Sequence, residues 1–180
     1  MKNYHIRDIV ISEEQIRARI DALVDEMASS FRSDNFVMIG ILRGSFMFLA
    51  DLVRKLHQHG LHPRIDFMTL ESYGGGTESA GFVKVAKDFS VDVRDADVLL
   101  VDDILDTGRT LHFAVRHVQN RGARTIRTCA LLDKPSRRVA PVEADHVGFK
   151  VPDEFVVGYG LDYDSRHREL PHIAKVTFIA

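Results

Sequence analysis

The spacing of apolar residues near the start of the chain predicts a helix. Apolar side chains recur three and four residues apart, as on one face of an α-helix: Ile16, Ile20, Leu23, Val24, Met27 and Phe31. The segment Ser12-Glu13-Glu14-Gln15 directly before them has the form of a capping box. We therefore predict an amphipathic helix over residues 13–31 that packs one face on the core.

Short, nearly continuous apolar runs alternate with helical segments through the middle of the chain. Such runs are typical of strands that are buried on both faces of a parallel sheet. The predicted elements are a strand at 36–41, a helix at about 45–59 that ends at Gly60, strands at 65–70, 82–85 and 97–101, a helix at 109–121 that ends at Gly122, and a strand at 125–132. This order predicts an α/β fold, a parallel twisted sheet flanked by helices, with its ligand site beyond the carboxyl ends of the strands.

The end of the chain has weaker periodicity. Short strand candidates occur at 147–149, 155–157 and 175–179, and we interpret this part as a small C-terminal subdomain, or hood, over the site. No repeat or linker divides the sequence, and 180 residues fit one domain. We therefore predict a single domain over residues 1–180.

Composition and charge exclude several classes of protein. No apolar run approaches the roughly 20 residues that a transmembrane helix needs, and the first residues lack the apolar stretch of a signal peptide, so we expect a cytosolic protein with no membrane partner. The single cysteine, Cys129, lies in an apolar stretch and is expected to be buried. The formal net charge of −2 lacks the broad positive field of nucleic-acid binding proteins. Any anionic ligand must therefore be bound locally.

The segment from Val98 to Leu111 carries the most specific chemistry. Four apolar strand residues are followed by Asp102-Asp103-Ile104-Leu105-Asp106 and then by Thr107-Gly108-Arg109-Thr110 at the start of a helix. The N–H groups of a tight loop that enters a helix have no partners of their own and favour a phosphate. Threonine hydroxyls add donors, and Gly108 lets the backbone approach the ligand. The pattern predicts a phosphate site.

Carboxylates would repel that phosphate unless they contact sugar hydroxyls or a cation. Asp102 and Asp103 suit a ribose diol together with Mg²⁺, which prefers oxygen ligands and shares them with phosphates. Asp106 stands three residues further on, where it can face a reacting base. One aspartate alone would more simply be a helix cap, but three within five positions favour a ligand site. The G-x-x-x-x-G-K-[ST] motif of P-loop enzymes is absent from the sequence.

This segment resembles the phosphoribosyl diphosphate signature of the type I phosphoribosyltransferases. Further segments resemble the hypoxanthine-guanine branch of that family: Leu42-Arg43-Gly44-Ser45 its diphosphate loop, Ser72-Tyr73 with Gly74-Gly75-Gly76 its mobile lid, Lys134 and residues 155–163 its purine pocket, and Arg168 a further diphosphate-binding arginine. The chain has Asp102 where many members have Glu, and Arg43 where many have Lys. Both differences keep the charge.

The resemblance implies the type I phosphoribosyltransferase fold and a Mg²⁺-dependent transfer from phosphoribosyl diphosphate to a 6-oxopurine. It assigns the 5′-phosphate to Asp106, Thr107, Gly108, Arg109 and Thr110, the ribose hydroxyls to Asp102 and Asp103, diphosphate to Arg43, Gly44 and Arg168, the lid contacts to Ser72 and Tyr73, the purine to Lys134, Phe155 and Val156, and Mg²⁺ to Asp162 together with Asp102 and Asp103. Asp106 would be the general base at purine N7. A homodimer or homotetramer is also implied.

Other functions remain open at this point. A regulatory protein of the same fold could sense a nucleotide and bind RNA or DNA, but it would need an added helix-turn-helix or a basic face. A pure interaction scaffold gives no reason for the carboxylate-rich loop. Among the 6-oxopurines we favour hypoxanthine, with guanine accepted, whereas the sequence does not decide the place of xanthine.

Overall fold

The computed structural model describes residues 3–31, 33–73 and 82–179. The strands are β1 (Tyr4–Ile11), β2 (Phe36–Leu42), β3 (Arg64–Tyr73), β4 (Phe82–Lys87), β5 (Asp97–Leu105), β6 (Thr125–Asp133), β7 (His146–Lys150), β8 (Val156–Val157) and β9 (Ile173–Phe178), and the helices are α1 (Glu13–Ala28), α2 (Phe46–Gln58) and α3 (Arg109–Asn120). The expected lid at Gly74-Gly75-Gly76 lies outside the described residues. Within the described part, no helix has the length and apolar character needed to cross a membrane.

The main sheet has six strands in the order β4-β3-β2-β5-β6-β7. All neighbouring pairs are parallel except β3 and β4, which are antiparallel. Alternate residues of β5 face opposite layers: Leu99 packs in the cluster formed with α1 and α2, whereas Leu100 packs in the cluster formed with α3. Burial on both faces explains the continuous apolar runs. The predicted α/β architecture is confirmed, and the carboxyl ends of β2, β5 and β6 meet at one edge.

The hood is a separate three-stranded sheet in the order β1-β9-β8. Its strand β1, which the sequence analysis did not predict, pairs antiparallel with β9, so that Tyr4 lies opposite Phe178. The predicted small subdomain is present, but its strands differ from the expected ones in two respects. The hood joins both ends of the chain, and the strand candidate at 147–149 is the edge strand β7 of the main sheet, parallel to β6.

The capping box predicted at the start of α1 is confirmed. The Ser12 hydroxyl accepts from the Gln15 backbone N–H at 3.3 Å, and the Gln15 side chain accepts from the Ser12 N–H at 2.8 Å. The helix ends at Ala28 rather than at residue 31. Phe31 nevertheless stays in the core, where its ring stacks on Phe36 with centroids 4.3 Å apart. Tertiary packing, not helix periodicity, thus buries the last residue of the apolar series. Cys129 is buried as expected, and burial raises the pKa of its thiol.

Candidate active site

A cleft of about 430 Å³ opens at the carboxyl edge of the main sheet. Its walls come from the ends of β2, β3 and β5, the loop that enters α3, and the segment after β8. It is lined by ten of the residues that the sequence singled out: Arg43, Gly44, Asp102, Asp103, Asp106, Thr107, Gly108, Thr110, Asp162 and Arg168. The topology therefore brings together residues that are far apart in the sequence.

Other expected site residues do not line this cleft. Arg109, Lys134, Phe155 and Val156 are not among its described lining residues. Arg109 is exposed on the first turn of α3 and borders a different groove on the outer side of that helix. Ser72 and Tyr73 form the end of β3, but their side chains lie outside the description. The proposed purine pocket is therefore a second region, next to the cleft.

The paired carboxylates lie inside a strand rather than after it, because β5 continues to Leu105 and not only to residue 101. Asp102 is only 5% exposed, and its Oδ1 accepts from the Asp103 backbone N–H at 3.0 Å. Burial raises the pKa of both carboxyls, and the neighbouring charge of Asp103 raises that of Asp102 further. Two adjacent carboxylates, one buried and one partly buried, favour a cation or hydroxyl donors as ligands.

The loop after β2 packs directly on this pair. Its first peptide bond, between Leu42 and Arg43, is cis. A Cβ built on Gly44 would lie 1.7 Å from Oδ2 of Asp103, so only glycine leaves room for the carboxylate. The buried Ser45 hydroxyl donates to the Ile41 carbonyl at 2.6 Å. This hydrogen bond ties the loop back to the end of β2.

Gly44→Ala is expected to raise the KM of a substrate that binds in this cleft about 10-fold or more, because the added methyl group must displace the Asp103 carboxylate or the loop. Steady-state kinetics with each substrate varied in turn provide the measurement. Gly60→Ala is the control for a glycine lost elsewhere: its φ of 72° strains an alanine, but nothing lies within 4 Å of the added Cβ. Unchanged kinetics in Gly44→Ala would show that this close contact does not shape the site.

The loop from Asp106 to Gly108 is supported on its outer side. The backbone N–H groups of Val139 and Ala140 both donate to the Thr107 carbonyl, at 2.9 and 3.0 Å. Gly108 has a φ of 82°, and an added Cβ would lie 2.8 Å from Val142, so glycine is needed both for conformation and for space. Thr107, Gly108 and Thr110, at the start of α3, line the cleft, and a helix N-terminus favours an anion.

Two arginines that the sequence analysis missed contact Asp106. Arg137 donates from Nε to Oδ1 of Asp106 at 3.1 Å. Arg138 donates to the backbone carbonyls of Leu105, at 3.1 Å, and Asp106, and its guanidinium also binds the Asp133 carboxylate. The only sequence signal was a pair of adjacent arginines shortly after Lys134, at the carboxyl end of a strand.

Lys134 is 7% exposed and held by the segment before β8. Its Nζ donates to the Glu154 carbonyl at 2.6 Å and lies 3.9 Å from Oδ1 of Asp153. Phe155 is 45% exposed, and its ring contacts Tyr163 edge-on with centroids 5.6 Å apart. Val156 is buried and pairs with Lys175 of β9. The buried Lys134 and the partly exposed Phe155 are thus brought together at the segment before β8.

Asp162 and Arg168 form the side of the cleft nearest the hood. Arg168 pairs with Oδ1 of Asp162 at 2.6 Å and donates to the Gly160 carbonyl at 2.6 Å. Within the described ranges, no three His, Cys, Asp or Glu side chains are close enough together to hold a metal ion by themselves. The carboxylates of Asp102, Asp103 and Asp162 fit Mg²⁺ in chemical type, since this ion prefers oxygen ligands and commonly takes one or two carboxylates with water and substrate phosphates.

Comparison with known proteins gives a consistent result. Residues 12–164 match the family described as phosphoribosyl transferase domain. The chain is 47% identical to hypoxanthine phosphoribosyltransferase of Haemophilus influenzae over 180 residues, which cover 98% of each chain. It is 43% identical to hypoxanthine-guanine phosphoribosyltransferase of Bacillus subtilis, over 96% of this chain and 94% of the relative.

Solved structures agree with this similarity. A hypoxanthine-guanine phosphoribosyltransferase from Bacillus anthracis superimposes with a TM-score of 0.87 at 39% identity, covering 97% of this chain and all of the other. A variant of hypoxanthine phosphoribosyltransferase from Trypanosoma cruzi, crystallised as a ternary complex with substrates, superimposes with a TM-score of 0.88 at 37% identity, over 96% of each chain. The similarity extends over both the main sheet and the hood.

Proposed function

Because this chain belongs to the phosphoribosyl transferase family, we propose that it transfers the 5-phosphoribosyl group from phosphoribosyl diphosphate to hypoxanthine, giving IMP and diphosphate. The relatives with the printed name hypoxanthine phosphoribosyltransferase support this substrate. Acceptance of guanine, giving GMP, is supported by the relative named for both bases. The role would be purine salvage.

The observation that supports the proposal most is the cleft, which is lined by the loop that enters α3 and by the adjacent carboxylates of the buried Asp102 and the partly buried Asp103. Phosphoribosyl diphosphate has a phosphate at one end, a ribose diol in the middle and a diphosphate at the other. The Thr107–Thr110 loop fits the 5′-phosphate, and Asp102 and Asp103 fit the ribose hydroxyls. The cationic Arg43 and Arg168 line the same cleft and would bind the diphosphate.

Transfer requires that the bond from ribose C1 to diphosphate breaks. Negative charge develops on the leaving group, and donors already in place for that charge lower the barrier. Arg43, the Gly44 N–H and Arg168 would supply them. Mg²⁺, when bound by the carboxylates, would supply further neutralisation of the diphosphate.

The purine would be bound at the segment before β8. Lys134 would exchange its hydrogen bond with the Glu154 carbonyl for one with the purine 6-oxo group, Phe155 would stack on the ring, and the Val156 backbone would hydrogen-bond its edge. Asp106 would accept the N7 proton as a general base while purine N9 forms the bond to ribose C1 that replaces the bond to diphosphate. Because Oδ1 of Asp106 already accepts from Arg137, Oδ2 is the oxygen that remains for this proton.

The test is to offer hypoxanthine, guanine, xanthine and adenine in turn, with phosphoribosyl diphosphate and Mg²⁺, and to identify the nucleotide formed. We expect IMP to form with the highest kcat/KM, GMP to form more slowly, and chelation of the metal to stop both reactions. A metal-independent reaction would contradict the roles of Asp102, Asp103 and Asp162. Formation of no nucleotide from any base would favour the alternative of a nucleotide-sensing regulatory protein. The cytoplasmic location and the homodimeric or homotetrameric state remain predictions.

A further inference from the structure

We infer that Arg137 is a positioning residue for Asp106, which it holds in the orientation that proton transfer from the purine requires. The inference rests on the proposed function, because it takes Asp106 as the general base. Arg137 itself lies outside the described lining of the cleft. Its described ion pairs are with the carboxylates of Asp106 and Asp153, and we assign its effect to the contact with Asp106.

The guanidinium of Arg137 lies between two carboxylates. Its Nε is 3.1 Å from Oδ1 of Asp106 and 3.6 Å from Oδ1 of Asp153. The same Asp153 oxygen is 3.9 Å from Nζ of Lys134. Side chains of alternating charge thus connect Asp106, the proposed base, to Lys134, the proposed donor to the 6-oxo group. Arg137 is the cation next to Asp106.

The chain after β6 explains why Arg137 reaches this position. A 3₁₀ turn at Pro135–Arg137 begins with a proline, whose ring fixes φ. The Arg137 backbone N–H donates to the Lys134 carbonyl at 3.0 Å, which turns the chain back toward the phosphate loop. The 3₁₀ turn directly after Lys134 therefore determines the position of Arg137.

Arg137 and Arg138 have different contacts with the same loop. Arg138 binds backbone carbonyls of the loop, including that of Asp106, and so fixes the main chain. Arg137 contacts the Asp106 carboxylate and not the loop backbone, and so restricts the side chain of Asp106. Removing Arg137 should therefore leave the loop in place but free the carboxylate to rotate.

The ion pair between Arg137 and Asp106 is expected to affect turnover rather than folding. Arg137 is 46% exposed and Asp106 is 39% exposed, and ion pairs at such positions contribute little to stability. A general base, however, must lie within hydrogen-bond reach of its proton in a defined orientation. A guanidinium bound at Oδ1 leaves Oδ2 directed at the substrate for a larger fraction of the time.

The experiment is a double-mutant cycle in kcat with Arg137→Ala, Asp106→Asn and both together, at saturating substrates. We expect Arg137→Ala alone to lower kcat about 5-fold with an unchanged KM for phosphoribosyl diphosphate, and Arg137→Lys to restore part of the loss. In the Asp106→Asn background, Arg137→Ala should have no further effect, because no base remains to be oriented. Arg94→Ala is the control, since Arg94 also forms an exposed ion pair, with Asp92 at 2.6 Å, but precedes β5 at the opposite edge of the sheet.

The outcomes separate this inference from the proposed function. An unchanged kcat in Arg137→Ala, or an equal loss in both backgrounds, would overturn the positioning role while the enzyme remained a phosphoribosyltransferase. Failure of the wild-type protein to form any nucleotide, or full activity of Asp106→Asn, would instead overturn the proposed function or its base. A loss in Arg94→Ala as large as that in Arg137→Ala would show a general charge effect and would also overturn the inference.

Discussion

Asp106→Asn is expected to lower kcat by about 10²- to 10⁴-fold, the usual cost of losing general-base catalysis, while phosphoribosyl diphosphate still binds. Asn keeps the size of the side chain, and its Oδ1 can still accept from Arg137 as the Asp106 oxygen does at 3.1 Å. It cannot accept the purine N7 proton usefully. The loss should therefore appear in turnover and not in affinity.

The measurement compares turnover with ligand affinity on one folded preparation. If Asp106 were only a helix cap, the variant would be almost fully active, since Asn is nearly as good a cap as Asp. Near wild-type turnover would thus remove Asp106 from catalysis. Lost affinity with normal turnover at saturation would make it a residue for substrate positioning.

Asp102→Asn is expected to stabilise the ligand-free protein at neutral pH while lowering kcat/KM about 10- to 100-fold, the cost of lost charge-assisted hydrogen bonds. Burial, and then the charge of Asp103, raise the pKa of Asp102. The Asn amide can keep the acceptor for the Asp103 N–H, now at 3.0 Å, and can donate to the Asp103 carboxylate. Because burial disfavours the ionised form of Asp102 and Asn cannot ionise, we expect the free energy of unfolding at neutral pH to rise.

The stability difference between Asp102→Asn and the wild type should depend on pH in a definite direction. A carboxyl whose pKa is higher in the folded state binds its proton more tightly there, so stability falls as pH rises from the unfolded pKa of about 3.9 through the folded value. Asn removes that fall, and the advantage of Asp102→Asn should therefore grow with pH and vanish below about pH 4. Urea unfolding of both proteins over a pH series measures it.

Asp92→Asn is the control for that series. Arg94 holds the pKa of the exposed Asp92 at about 2, so this carboxylate contributes stability that is present above its unfolded pKa and lost as pH falls through about 2. Its substitution should not stabilise the protein at neutral pH. An equal stability of Asp102→Asn and wild type across the series would contradict the account of a destabilising buried pair.

The position of the loop over residues 106–110 and the central strands were predictable because their signals are local. The apolar run of β5 and the aspartates after it stand together in the sequence, and a parallel sheet brings such strand ends to one edge. The length of β5 was not predictable in this way. Aspartate is disfavoured in strands, but Asp102 stays in register with Ala130 of β6, because tertiary pairing outweighs the local preference.

Non-local contacts account for what the sequence analysis missed. β1 has a single buried residue, Ile11, and its partner β9 lies at the other end of the chain, so neither periodicity nor spacing indicates the pair. Lys134 was correctly placed past the end of a strand, but its contact is a backbone carbonyl, that of Glu154, and backbone contacts leave no trace in residue types. Arg137 was missed because it looks like any exposed arginine until the turn after β6 is known.

The most direct test of the account is a crystal structure with Mg²⁺, phosphoribosyl diphosphate and an unreactive hypoxanthine analogue. The account predicts the 5′-phosphate on the backbone N–H groups from Thr107 to Thr110, the ribose hydroxyls on Asp102 and Asp103, and a carboxylate oxygen of Asp106 at about 2.6 to 3.2 Å from the purine atom that corresponds to N7. Binding of the phosphate at another site, or of the purine away from Asp106, would contradict it.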